Sequence, residues 1–335
     1  MNVHSMAARE AKGVLVPFRF DTPPLGPSDC LVRVLTCGIC HSDLHMIDDD
    51  WRVSRYPLVP GHEVVGVVEE VGSGVTHLAP GDRVGVGWQR SACLCCQDCL
   101  EGNENLCDRS KSLIGDGHGG FADHLVVDAR FAFALPRGLE TETAGPLLCG
   151  GATVYSALRH AGMCSGQEIG VVGVGGLGHL AVQFAARLGN RVTVLTTSED
   201  KARAAEALGA AEAVVTRGGT LPAALDRPLD ILLVTAPAAL DWNAHLGLLG
   251  TDGVLAFVAA AAQAKIRIDV LMAKRRRVAG SLIGGRAEIV EMLDVAERYG
   301  IKPVVEVFPL AEVNQALKKV RDNTVRYRAV LQVAR

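Results

Sequence analysis

Nothing in this chain is long and apolar enough to cross a bilayer. Runs such as "VLAFVAAAA" (254–262) fall far short of the ~20 residues a spanning helix requires. The opening stretch, "MNVHSMAAREAKGVLVPF", lacks the charged start and long apolar core of a secretory signal. No charge of one sign dominates either: 34 Lys and Arg face 37 Asp and Glu, a net charge of −3. That balance gives no electrostatic reason to expect nucleic acid or an anionic membrane as partner. The one basic run, "KRRR" (274–277), has no interleaved aromatics and reads as a solvated patch. Internal repeats and low-complexity linkers are missing as well, which argues against a solenoid and against a tethered array. A cytoplasmic protein is the expectation these absences leave.

What is present is an ordinary globular composition, 49% hydrophobic and 21% charged, spread over 335 residues. That length exceeds what one hydrophobic core usually serves, so two domains are expected. The first half reads as short strands broken by Gly, Pro and Asp, as in "HEVVGVVEEVG" (62–72) and "APGDRVGVGW" (79–88). Near residue 150 the texture changes. "EIGVVGVGGLGHLAVQFAARLG" (168–189) runs from an apolar strand through a glycine turn into a helix. Strand "NRVTVLTTS", helix "EDKARAAEALGA" and strands "AEAVV", "LDILLVTAP" and "GVLAFVAA" follow it. Strands alternating with helices indicate right-handed βαβ units and a parallel doubly wound sheet. A helix, "RAEIVEMLDVAERYG", and a final strand, "RAVLQV", close the chain. The predicted fold is α/β, with a doubly wound sheet domain (151–285) inserted in a discontinuous β-rich domain (1–150 and 286–335).

Ten cysteines are many, yet secreted disulfide frameworks are usually small and this chain is not. Five of them fall in "CLCCQDCLEGNENLC" (93–107). Cys93, Cys96, Cys99 and Cys107 give C-x2-C-x2-C-x7-C. Short spacings let successive thiolates converge on one ion, and the longer loop returns the fourth ligand to close a tetrahedron. Four thiolates leave no open position, so a zinc ion there is structural. Cys95 is the spare, because neighbouring residues seldom bind the same tetrahedral ion. Free or disulfide-bonded thiols and an iron–sulfur cluster are the alternatives. A second ligand set is scattered: Cys40 in "CGICHSDLH" (37–45), His62 and Glu63 in "PGHEVVG" (60–66), and Cys149 in "GPLLCGG" (145–151). One nitrogen and two sulfurs would leave a fourth position for substrate. Spacing alone equally allows Cys149 to be a small buried hydrophobe. Gly173, Gly175 and Gly178 in "GVGGLG", with Gly176 and Leu177 between them, fit G-x-G-x-x-G between a strand and a helix. Such a turn lets a dinucleotide pyrophosphate approach the backbone at a helix N-terminus.

With these elements in place, the chain resembles the zinc-containing medium-chain dehydrogenases along essentially its whole length. It is most similar to the cinnamyl-alcohol-dehydrogenase-like branch, and within it to bacterial NADPH-dependent broad-specificity aldehyde reductases. The segments that carry the resemblance include "CGICHSDLHMIDDDW", "SRYPLVPGHEVVGVVEEVGSGV", "GDRVGVGW", the cysteine cluster, "GGFADHL", "GPLLCGGATVYSAL" and "GVGGLGHLAVQFA". The resemblance implies a GroES-like catalytic domain around a Rossmann domain, an active site in the cleft between them, and a homodimer. It implies that Cys40, His62 and Cys149 bind a catalytic zinc, with Glu63 as an acid able to approach the metal, and that Cys93, Cys96, Cys99 and Cys107 bind a structural one. Ser42 matches the hydroxyl that exchanges a proton with the substrate oxygen, and His45 the outer end of that relay. Asp43 matches the carboxylate that orients the zinc-bound histidine, and His41 a basic residue near the cofactor pyrophosphate. Trp51 either lines the substrate pocket or packs in the core. No function follows for His4, His77, His118, His124, His160, His179 or His245, nor for Cys30, Cys37 and Cys164. The loop "VAAAAQAK" (258–265) departs from the family pattern, which often carries Gly and Pro there, and leaves the substrate range open.

The expected chemistry is reversible hydride transfer between NADP(H) and an aldehyde or primary alcohol, with two zinc ions per chain. NADP is expected over NAD because the second strand of the sheet ends in Thr196, Thr197 and Ser198, where NAD-preferring relatives carry Asp at the Thr196 position. Hydroxyls can donate to a 2′-phosphate, and Lys201 can add charge. Ser198 can equally cap the following helix. The alternatives are a cinnamyl or polyol alcohol dehydrogenase and a catalytically silent zinc and thiol redox sensor.

Overall fold

The structure, a computed structural model, describes residues 1–115, 117–216, 220–222, 224–237, 240–259 and 263–333. Residues 260–262 of the departing loop "VAAAAQAK" lie outside the described residues. The chain divides into two compact units. One comprises Met1–Cys149, Gly285–Glu297 and Lys302–Arg335, the other Gly150–Gly284 and Arg298–Ile301.

The first unit is built on a seven-stranded sheet. Its path runs Val305–Pro309, Arg328–Gln332, Asp29–Ile39, Val64–Val71, Arg83–Val86 and Ala132–Ala134, with His124–Asp128 added beside Asp29–Ile39. Val305–Pro309 and Arg328–Gln332 pair in parallel, and the other pairings are antiparallel. The strand Asp29–Ile39 alternates half-buried and buried residues until its last four, which are all buried. That end leads directly into the helix His41–Asp48, so the ligand-bearing segment starts from the densest part of the sheet. Val34, Ile39, Val64, Val86 and Phe121 are 0–1% exposed and form the centre of this core. A two-stranded ribbon, Asn2–Ala7 with Val16–Asp21, and the short pair Gln89–Ser91 with Lys111–Ser112 complete the strands described here.

The second unit holds a six-stranded, wholly parallel sheet in the order Glu212–Val215, Arg191–Thr196, Glu168–Val172, Leu229–Val234, Leu249–Phe257, Arg277–Gly280. In chain order this is 3-2-1-4-5-6, the Rossmann arrangement, with its switch point beside the first strand. Helices Gly178–Arg187 and Glu199–Ala207 join the first strands, as the alternating pattern predicts. The first strand is buried on both faces, so Ile169, Val171 and Val172 read as a continuous apolar run rather than an alternation. The sixth strand, "RVAG", was not foreseen from the sequence. The "KRRR" run before it is only partly a solvated patch: Arg275 pairs with Asp252, and the Arg276 guanidinium donates to the Leu249 and Val270 carbonyls.

Candidate active site

All ten cysteines are free thiols. Four sulfurs meet in the first unit's cysteine lobe: the donor atoms of Cys93, Cys96, Cys99 and Cys107 lie within 4.8 Å of one another. Cys93 Sγ is 3.8 Å from Cys99 Sγ and 3.5 Å from Cys107 Sγ. Zn–S bonds of about 2.3 Å make a tetrahedral S···S edge of about 3.8 Å. The donor set therefore fits a zinc ion without rearrangement. Hydrogen bonds from the Cys95 and Cys96 backbone N–H groups bring the Cys93 thiol down to about 5, against its burial. Cys95 itself is exposed, outside the cluster, and accepts a hydrogen bond from Arg109 at 3.3 Å.

The second set is buried except for half-buried Cys40. Cys40 is the N-cap of the helix His41–Asp48 and places its Sγ 3.9 Å from that of Cys149, which lies in a π-turn, Leu147–Gly151. His62 Nε2 is 3.3 Å from Cys149 Sγ. Gly61 delivers His62 to this point from a left-handed conformation, φ +102°, and a Cβ there would sit 2.6 Å from the Phe121 ring. Asp43, wholly buried, ties the assembly together. One carboxylate oxygen accepts the Cys40 N–H at 2.8 Å; the other accepts the Gly61 N–H at 2.8 Å and faces His62 Nδ1 at 3.1 Å. Because Asp43 claims Nδ1, Nε2 is the nitrogen left to face the sulfurs.

The electrostatics favour a cation among these donors. Burial alone works against a charged imidazole, yet Asp43 and the Cys40 sulfur outweigh it and raise His62 to about 10. The hydrogen bond from Cys149 holds the Cys40 thiol well below its ordinary value, against burial, with Arg328 and His62 assisting. Glu63 completes the set of donors within 4.8 Å. Arg328 holds one of its carboxylate oxygens, while the other is buried with no hydrogen-bond partner. A carboxylate within reach of two sulfurs and an imidazole suits a divalent ion. By contrast, burial pushes Cys30 up to about 12 and Cys37 well above the usual range, so both are inert packing groups.

Around this set, Ser42 Oγ lies 3.8 Å from Cys40 Sγ. His45 Nδ1 contacts the Asp50 carboxylate at 2.7 Å, and its ring lies 5.2 Å from that of Trp51. Trp51 is 43% exposed and stands 6.0 Å from Trp88, which in turn meets the His62 ring edge-on at 5.1 Å. His41 is exposed on the helix's first turn. Trp88, Asp50 and Arg328 escaped the sequence reading. Trp88 closes the motif "GDRVGVGW", in the short link between the strands Arg83–Val86 and Gln89–Ser91, but nothing in a tryptophan there signals that it faces a histidine 26 positions earlier.

In the second unit the glycine turn follows the strand Glu168–Val172. Gly173 adopts φ +89°, and a Cβ on Gly178 would lie 2.0 Å from the Gly173 carbonyl oxygen, so both positions require glycine. Gly175, Gly176 and Leu177 are half-buried, and Leu177 offers no side-chain cap to the helix that follows. Thr196 ends the second strand with only 4% exposure. Thr197 is the exposed hydroxyl at that edge, Ser198 Oγ caps the next helix by accepting the Lys201 N–H at 3.4 Å, and Lys201 is exposed.

Comparison with known proteins gives the same picture. Residues 26–137 match the family described as alcohol dehydrogenase GroES-like domain, and residues 176–298 that described as zinc-binding dehydrogenase. An aldehyde reductase of Synechocystis sp. is 39% identical over 330 residues, 98% of each chain. Among solved structures, a cinnamyl alcohol dehydrogenase from Sorghum bicolor superposes with a TM-score of 0.92 at 38% identity, covering 99% of this chain and 98% of that one. CAD from Helicobacter pylori, complexed with NADP(H), gives the same TM-score at 30% identity and the same coverage. Two ligand sets of zinc geometry, a Rossmann sheet with its glycine turn, and full-length relatives agree: the chain belongs to the zinc-containing medium-chain alcohol dehydrogenase family, in the branch of the cinnamyl alcohol dehydrogenases and aldehyde reductases.

Proposed function

We propose that this enzyme interconverts aldehydes and primary alcohols with broad specificity, prefers NADP(H), and carries two zinc ions per chain. The observation that carries the reading is the Cys40–His62–Cys149 set at tetrahedral spacing with the Ser42 hydroxyl beside it. Bound there, zinc supplies a Lewis acid for the carbonyl oxygen, and the nicotinamide supplies the hydride. Ser42 Oγ donates a proton to the oxygen of the product alcohol and regains one through His45, whose ring Asp50 holds. Asp43 fixes His62 as an Nε2 ligand. Trp51 and Trp88 wall the approach to His62 with apolar surface, which suits aromatic and aliphatic aldehydes better than polyols. Cys93, Cys96, Cys99 and Cys107 hold the second ion. An intact catalytic donor set with its hydroxyl argues against a silent thiol sensor.

For the cofactor, the edge after Thr196 carries hydroxyls and Lys201 where a carboxylate would repel a 2′-phosphate. Glu199 and Asp200 belong instead to the helix's first turn, where they suit its dipole, and Asp200 is paired with Arg203. The test is kcat/KM for NADPH and NADH with benzaldehyde and butanal, in wild type and in Thr197→Asp, chosen because Thr196 is buried. NADPH leads by at least tenfold, about 1.4 kcal/mol, and the substitution shrinks or reverses that lead. Equal efficiency with both cofactors in the wild type defeats the claim. We further propose a homodimer formed along the open edge of the parallel sheet.

A further inference from the structure

The glycine turn is held from behind by two side chains that the activity does not otherwise use. Thr235 follows the fourth strand, and its hydroxyl lies 2.9 Å from the Val172 carbonyl oxygen and 3.1 Å from that of Gly173. His179, in the first turn of the helix Gly178–Arg187, is 0% exposed, and its Nδ1 lies 2.8 Å from the Gly175 carbonyl oxygen. A carbonyl only accepts, so Nδ1 carries the hydrogen. Burial keeps this imidazole neutral at physiological pH, lowering it from 6.5 to about 4. Packing tightens the arrangement further: a Cβ at Gly178 would meet Gly173 O at 2.0 Å and Thr235 Oγ1 at 2.9 Å.

The carbonyls of Val172, at the strand's end, and Gly173 share the one Thr235 hydroxyl hydrogen, and that of Gly175 accepts from His179, so side chains of this unit's interior hold the turn. A dinucleotide pyrophosphate is attracted by N–H groups and repelled by carbonyl oxygens. We infer that Thr235 and His179 are positioning residues that draw carbonyls of the glycine turn inward, leaving the N–H groups beyond Gly173, whose own N–H donates to the Leu195 carbonyl, to meet the pyrophosphate. The inference rests on the dinucleotide reading above and adds to it two residues outside the glycine motif.

The test compares Thr235→Val and His179→Leu, which remove the donors, with Thr235→Ser and His179→Asn, which keep one. Binding of NADPH is measured beside binding of adenosine 2′-phosphate, a fragment that lacks the pyrophosphate. Loss of one such hydrogen bond weakens NADPH by up to about tenfold. The effect falls on KM for NADPH more than on kcat, the fragment binds all variants alike, and Ser and Asn stay close to wild type. If His179→Leu does not fold, the nearly isosteric Thr235→Val decides. A Thr235→Val protein that melts with the wild type and binds NADPH as tightly overturns the clamp, as does equal loss of the fragment. The cofactor reading fails separately: a wild type that prefers NADH refutes it, and the same comparison with NADH and adenosine, which lacks the pyrophosphate, then tests the clamp. A wild type that binds neither dinucleotide overturns both.

Discussion

Cys95 and Cys96 are neighbours in sequence with opposite environments. Cys96 turns into a four-sulfur cluster, while Cys95 is exposed against Arg109. Binding at a structural zinc site contributes on the order of 10 kcal/mol to folding, so Cys99→Ser should lose one zinc and melt far below wild type. Cys95→Ser keeps an acceptor for Arg109 and should change stability by no more than about 0.5 kcal/mol. Zinc analysis and thermal melting of the two variants check this, and equal damage would mean that Cys95 is a ligand. At the other site, Asp43→Asn removes the charge behind His62 and should weaken zinc by about 10- to 100-fold, read by competition with a chelator. Ser42→Ala should retain its zinc and lose kcat; full rate across the pH range would refute the relay. The cysteine lobe was legible because its four ligands lie within fifteen residues, so spacing alone encodes geometry. Cys149 was legible only through the family resemblance and not through spacing, since 87 residues separate it from His62 and the fold brings them to 3.3 Å. Arg328 lay further out of reach, on a C-terminal strand whose pairing with Asp29–Ile39 no local pattern announces.

Elements show the same division between local and non-local information. The glycine turn was readable because strand, turn and helix are contiguous, and the structure sets them at the switch point of a 3-2-1-4-5-6 sheet. Val313, Ala316, Leu317 and Val320 recur at helical spacing and are the buried face of the helix Val313–Arg321. The strand Arg277–Gly280 has four residues, none of them buried, and no alternation to reveal it; only pairing with Leu249–Phe257 makes it a strand. The helix Gly178–Arg187 carries a pH consequence. Burial lowers His179 from 6.5 to about 4, so between those values the unfolded chain binds the proton and the folded chain does not. Stability is therefore complete above pH 6.5 and declines as pH falls towards 4, by about 2 kcal/mol between pH 7.5 and pH 5. Unfolding free energies of wild type and His179→Asn across that range check the sign: the variant's acid slope should be shallower. Parallel slopes would show that His179 does not contribute.

At the scale of the whole molecule, the parallel sheet ends, among the described residues, in Glu212–Val215 and in Arg277–Gly280, and the second of these edges is the feature a single chain leaves unresolved. Arg277–Gly280 pairs with Leu249–Phe257 on one side and, among the described residues, with no strand on the other. Soluble proteins usually blunt such an edge with charge, a bulge or a cover, because unpaired N–H and C=O groups recruit another strand. Here exposed charge, from Lys274, Arg275 and Arg277, stands beside exposed apolar side chains: Ile268 is 65% exposed, Met272 73%, Leu282 59% and Val278 40%. A twofold axis at this edge would pair the strand with its own copy, joining two six-stranded sheets through an isologous contact and covering those side chains on both copies. A heterologous contact would leave a fresh edge exposed each time and grow without closing. Light scattering should therefore give twice the chain mass for the wild type, and Met272→Glu with Leu282→Glu should shift it to the single-chain mass. The zinc ligands and the glycine turn lie on other segments, so the charged variant should keep both metal ions. A wild type that runs as a monomer at every concentration tested would show that the edge is tolerated, and the apolar side chains around it would then need another explanation.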